Sequence, residues 1–320
     1  MMHKKALFNT LAFLLFLTMF RTDHVPAAQA TIQVLCSFLP IQIFAANVIG
    51  GRPGIELGVL ISGESGPHAY QLTPGDMRKI ASADLFLAVG LGLESFLESP
   101  IHRANPGIRV VETGRISQLI RYSEIDRAAL PGARRGIGGA RKKVHRHAMM
   151  FNPHTWVSPL AAVEIVRNIQ KALADLDPKG ASQYRANGDG YVRRLKSLHH
   201  EIAREIKTFP NRKIATFHDA FDYFARDCGL QVVAVLEEVA GRKPSAKEMQ
   251  AIVEVIRSTG AAGVFAEPQF SPALARAVSR EAGVPLGFLD PVATGLFSPD
   301  LYENVMRKNL EELKRVLGKR

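Results

Sequence analysis

The sequence predicts an α/β protein of two lobes, each a parallel sheet flanked by helices, joined by one long linker helix. Three observations lead there. Short apolar runs rich in β-branched residues alternate with amphipathic stretches in both halves of the chain, which is the rhythm of a parallel sheet. A stretch of helical periodicity from about Gly180 to Phe209 separates the halves. The length, 320 residues, is enough to bury a core in each.

The elements follow in order. Residues 1–30 read as a cleavable signal peptide. Lys4 and Lys5 make a basic start, Leu11 to Phe20 is an apolar run too short to span a bilayer comfortably, and Ala28-Gln29-Ala30 is a small-x-small cleavage pattern. Cys36 lacks the small residues that precede a lipidated cysteine, so the expectation is an exported, soluble chain. Strand-like runs then occupy Thr31–Ser37, Ile55–Ile61, Ala83–Val89 and Ile108–Glu112. Thr73 is placed to cap a helix from Pro74 to Ser82, with the proline at its first position. Gly132 to His147 (GARRGIGGARKKVHRH) is Gly-rich, basic and without periodicity, a flexible loop. Pro159 starts a helix running to about Leu176. In the long helix that follows, Tyr191, Leu195, Leu198, Ile202 and Ile206 recur at helical spacing. Strand rhythm resumes at Lys213–Phe217, Gln231–Leu236, Gly263–Ala266 and Leu286–Leu289, with a helix at Ser245–Ser258. The expected division is a signal peptide (1–30), an N-terminal lobe (31–178), a linker helix (179–209) and a C-terminal lobe (210–320).

Charge and cysteines narrow the function classes. The net charge of +11 falls to +9 once Lys4, Lys5, Arg21 and Asp23 leave with the signal peptide. The remaining charges are spread apart from one knot at Arg134 to His147, and no nucleic-acid-binding motif accompanies them. No nucleic-acid partner is expected. Cys36 and Cys228 are the only cysteines. They form no CxxC pair, so a thiolate zinc site or redox motif is excluded, and two separate buried thiols are expected.

Ligands of open parallel sheets sit beyond the carboxyl ends of the strands. After the second run comes His68, after KIATF comes His218, after GVFA comes Glu267, and after LGFL comes Asp290. His154 stands just before the helix begun by Pro159. Imidazole and carboxylate are suitable donors for Zn²⁺ and other first-row divalent ions. Three histidines and one aspartate would fill a tetrahedral shell and leave no open position for a catalytic water, which suits holding a metal rather than hydrolysis. Pro67, Pro153 and Pro291 restrict the backbone beside His68, His154 and Asp290. Singly, a loop histidine is more often solvated or hydrogen-bonded than a ligand, and an aspartate such as Asp290 is often a turn former.

Five motifs in order, Gly66 to Leu97, NPHTWVSP (Asn152–Pro159), FHDAFDYFA (Phe217–Ala225), FAEPQFSP (Phe265–Pro272) and LDP (Leu289–Pro291), closely resemble the zinc/manganese family of metal-binding solute-binding proteins of ABC importers. The resemblance covers nearly all of the mature chain. It implies two α/β lobes joined by a rigid long helix, with His68, His154, His218 and Asp290 as metal ligands. It further implies a periplasmic monomer, without enzymatic activity, that delivers a divalent metal ion to a membrane permease. Members resembling manganese carriers usually place glutamate at the third position. His218 there favours Zn²⁺ over Mn²⁺ as the transported ion.

Two departures matter. Many zinc members carry a long acidic, His-rich loop before the second ligand motif; here that place holds the basic stretch with only His145 and His147, and clustered cations repel a divalent ion. Glu267 is a spare carboxylate, suited to orienting a ligand. The rival readings are a manganese-binding member of the same family, an exported zinc hydrolase with Glu267 as base, and an adhesin-like surface protein. VGLGLES (Val89–Ser95) lacks the third glycine of a dinucleotide loop. His199-His200-Glu201 has Arg204 where a zinc-protease helix needs its second histidine. For Trp156, shielding of a site and plain aromatic packing both remain open.

Overall fold

The computed structural model describes residues 31–63, 66–67, 70–125, 150–236 and 245–318. The expected signal peptide, His68, and the basic loop with His145 and His147 lie outside the described residues.

Two four-stranded, all-parallel sheets carry the fold. The first holds β1 (Ile32–Phe38), β2 (Ile55–Ile61), β3 (Leu85–Ala88) and β4 (Arg109–Glu112) in the order β2-β1-β3-β4. The second holds β5 (Lys213–Thr216), β6 (Gln231–Val235), β7 (Gly263–Ala266) and β8 (Leu286–Phe288) in the matching order β6-β5-β7-β8. The helices in chain order are α1 (Leu39–Ile49), α2 (Pro74–Ser82), α3 (Glu98–Ala104), α4 (Pro159–Leu176), α5 (Ala181–Ile206), α6 (Asp222–Cys228), α7 (Ala246–Thr259), α8 (Ala273–Ala282) and α9 (Leu301–Leu317). The long helix expected between the sheets is α5, 26 residues. None of the described helices is long and apolar enough to cross a membrane.

Local chemistry sets the boundaries that matter for the site. Thr73 caps α2 through a capping box with Asp76, with Pro74 in the first turn. Ser158 caps α4 by accepting from Ala161 N–H, and Pro159 follows it. The cap sets where α4 begins, just past His154 and its 3₁₀ turn. α1 has no amphipathic face: eight of its residues are buried, on several sides. It lies inside the molecule rather than on it.

α5 buries the five residues expected from its periodicity together with Tyr184, Gly188 and Val192. At Gly188 it comes so close to α4 that an added Cβ would fall against Gln170, whose amide donates to the Tyr184 and Arg185 carbonyls. One hydrophobic cluster includes strand residues of both sheets and the buried faces of α1, α4, α5 and α9. A second, smaller cluster lies between the second sheet and α7 and α8. Cys36 and Cys228 are both buried and free, and burial pushes both thiols up, so neither is a nucleophile at neutral pH.

Candidate metal centre

The second sheet has its switch point between β5 and β7: the chain leaves β5 to one side for β6 and continues on the other through β7. A crevice opens at the carboxyl ends of such a strand pair. His218 stands two residues past β5 and Glu267 directly past β7. The Phe217 N–H to Phe265 carbonyl bond, 2.8 Å, extends the pairing to the crevice edge. His218 Nδ1 lies 3.4 Å from Glu267 Oε1, and His218 Nε2 lies 3.3 Å from Asp219 Oδ1. All three side chains are buried. An imidazole between two carboxylates is arranged to carry positive charge beside it, not to sit in an apolar core.

Asp290 follows β8 and is half-buried. Asn309 holds its backbone from both sides: Oδ1 accepts from the Asp290 N–H (2.9 Å) and Nδ2 donates to the Asp290 carbonyl (2.8 Å). Its own Oδ1 accepts from the Val292 N–H at 2.7 Å, and Val292 is held at φ 62°. That left-handed conformation is strained for a β-branched residue. Burial pushes the Asp290 carboxyl above its ordinary range. The neighbouring Glu267 charge adds to the rise, and the Val292 hydrogen bond opposes it.

His154, from the part of the chain before α5, precedes a single 3₁₀ turn (Thr155–Val157) and the capped start of α4. It is 2% exposed. Its ring stands 4.6 Å from that of His218, centroid to centroid and nearly perpendicular. Trp156 packs edge-on against Phe38 at 4.9 Å and beside His154 at 5.1 Å, and donates its indole N–H to the Pro291 carbonyl at 2.8 Å. It both fills the core and walls the histidine.

Ligand atoms of His154, His218 and Asp219 lie within 4.8 Å of one another. Among the described residues this is the set of three donors close enough to share one ion at ordinary bond lengths of about 2.0–2.2 Å after small adjustment. Of the four ligands that the resemblance implies, His154 and His218 are thus brought together. Asp290 lies outside that three-member set, coupled to it electrostatically through Glu267. His68 is outside the described residues, but Gly63, a few residues before it, accepts from the Gly295 N–H in the loop that follows Asp290 (2.8 Å).

Two residues at this centre escaped the sequence reading, Asp219 and Asn152. Asp219 had a visible signal, a carboxylate directly adjoining a strand-end histidine. Asn152 bonds both His154 and the Asp219–Asp222 segment. Its signal was fainter: an Asn-Pro pair two residues before a histidine, a sequence that favours an Asx turn. The GxG stretch has its own occupant: the Glu94 carboxylate accepts from the Val89 and Gly90 N–H groups at 2.8 and 2.9 Å, which fills the backbone pocket a phosphate would need.

Residues 34–316 match the family described as ZnuA, zinc-uptake complex component A, periplasmic. The chain belongs to this family. It is 28% identical over 308 residues to the high-affinity zinc uptake system protein ZnuA of Brucella suis biovar 1 (strain 1330), covering 89% of this chain and 92% of that protein. Among solved structures, a zinc-bound deletion mutant of ZnuA superposes with TM-score 0.72 at 25% identity, covering 91% of this chain and 99% of that one. The solute-binding protein FpvC from Pseudomonas aeruginosa, solved with Mn²⁺, gives TM-score 0.74 at 26% identity, covering 90% and 98%. The two-lobed fold expected of the family is therefore the fold found. Members are metal-binding transport components rather than enzymes, which removes the zinc-hydrolase reading.

Proposed function

We propose that this chain captures Zn²⁺ in the periplasm, after removal of residues 1–30, and hands it as a monomer to an ABC permease for import. The observation that carries this reading is the buried meeting of His154 and His218 with Asp219 at the crevice of the second sheet, in a chain of a zinc-uptake family. The proposed ligands are His68, His154, His218 and Asp290, with Asp219 as a further oxygen donor and Glu267 orienting His218. Nitrogen-rich donor sets suit Zn²⁺, whereas Mn²⁺ prefers oxygen; this supports zinc as the cargo. The division into lobes at 31–178 and 210–320, with 179–209 between, is supported by α5 having one sheet before it and the other after.

The test is the metal content of protein purified without chelator, followed by calorimetric competition between Zn²⁺ and Mn²⁺. One zinc per chain, displaced poorly by manganese and largely lost in His218→Ala, is expected. Wild-type zinc affinity in that variant would sink the ligand set; manganese winning the competition would sink the choice of cargo.

A further inference from the structure

Asn152 is fully buried, and every hydrogen-bonding position of its side-chain amide is taken. Oδ1 accepts from the His154 backbone N–H at 2.9 Å and lies 2.8 Å from His154 Nδ1. Nδ2 donates to the Asp219 carbonyl at 2.9 Å and to Asp222 Oδ2 at 2.8 Å. The chain around it is held as well: its N–H donates to the Ile120 carbonyl (2.9 Å), and its carbonyl accepts from the Tyr223 hydroxyl (2.8 Å).

The chemistry of these partners allows one orientation only. The Asp219 carbonyl and the Asp222 carboxylate accept and cannot donate, so the NH₂ end must face them. The oxygen must then face His154, where the backbone N–H independently demands an acceptor. An amide oxygen cannot donate, so His154 Nδ1 carries the proton and Nε2 carries the lone pair.

We infer that Asn152 is a positioning residue for metal capture: it fixes the tautomer of His154 with Nε2 as the coordinating nitrogen, and it clasps that histidine to the segment bearing His218 and Asp219. This rests on the reading of His154 as a ligand. One side chain thus sets both the protonation pattern of one donor and its distance from the others before the ion arrives. Preorganisation of that kind is what neighbouring groups supply to metal-bound histidines, and its loss typically weakens binding about 10- to 100-fold.

The first measurement needs no variant. In metal-free wild type above the imidazole titration range, ¹⁵N-detected NMR of the His154 ring should show Nδ1 protonated and Nε2 unprotonated; the opposite tautomer overturns the inference. The second compares Zn²⁺ titrations. Asn152→Ala should lose about 10- to 100-fold in affinity and its His154 tautomer preference. Asn152→Asp should keep the tautomer, because an acceptor remains, yet bind more weakly than wild type, because both clasping donors are gone. Wild-type affinity in Asn152→Ala, with zinc lost in His154→Ala, overturns the clasp and leaves the site reading standing. Wild-type affinity in His154→Ala removes the site reading and the inference with it. If Asn152→Ala does not fold, the wild-type tautomer and Asn152→Asp still decide.

Discussion

Trp156 donates its indole N–H to the carbonyl of Pro291, joining the turn that carries His154 to the segment that carries Asp290. The bond is buried at both ends. Trp156→Phe keeps an aromatic ring but orphans a buried carbonyl, which costs about 1–3 kcal/mol. Urea unfolding should show a lower midpoint with an unchanged slope, and zinc affinity should fall with it. An unchanged midpoint would mean that the bond contributes nothing.

Glu267 should trade stability for binding. Its charge adds to the cost of ionising Asp290, so the buried Glu267 carboxylate and the half-buried Asp290 carboxylate repel each other in the metal-free protein. Glu267→Gln removes that repulsion, and its amide oxygen remains able to accept from Gln269. The metal-free variant should melt at or above the wild-type temperature, while zinc affinity drops about 10- to 100-fold. Thermal melts and calorimetry moving in the same direction would contradict this.

Gly188 tests the close approach of α4 and α5. Alanine is favoured over glycine in a helix by about 1 kcal/mol, but its methyl would lie 2.6 Å from Gln170 Cγ. Overpacking of that kind costs about 1–3 kcal/mol, so Gly188→Ala should be destabilising in denaturant titration. Adding Gln170→Ala should recover part of the loss, a coupling readable in a double-mutant cycle.

Asp177 gives the protein a defined response to acid. The Arg52 guanidinium holds its carboxyl below the usual range, with the Tyr184 hydroxyl assisting against partial burial. A carboxyl lowered on folding stabilises fully above its unfolded value, about 3.9, and that contribution fades as pH falls through the folded value. Asp177→Asn should therefore melt below wild type at neutral pH, and the gap should narrow on acidification. A gap that widens in acid would reverse the sign.

The strands were legible in the sequence because each is a short apolar, β-branched run closed by a turn former. Boundaries slipped by a residue or so, as where the run read from Thr31 to Ser37 became a strand from Ile32 to Phe38. α1 carried no periodic signal, since a helix buried on several sides has no polar face to alternate with. At the site, His154 and His218 could be read because strand ends and helix starts are where ligands gather. Asp219 and Asn152 could not be assigned, because their part depends on which polar atom each faces, and that is fixed only when the two halves of the chain meet.

The hydrophobic cluster that spans both sheets and α5 has a thermodynamic consequence. The described residues from Ile32 onward form one compact unit, so the lobes should melt together in a single cooperative transition. An ion gripped by a handful of atoms in the crevice would then raise the unfolding cost of the whole molecule. Protease resistance of a peptide bond far from any ligand would rise with zinc concentration as surely as that of a bond beside His154.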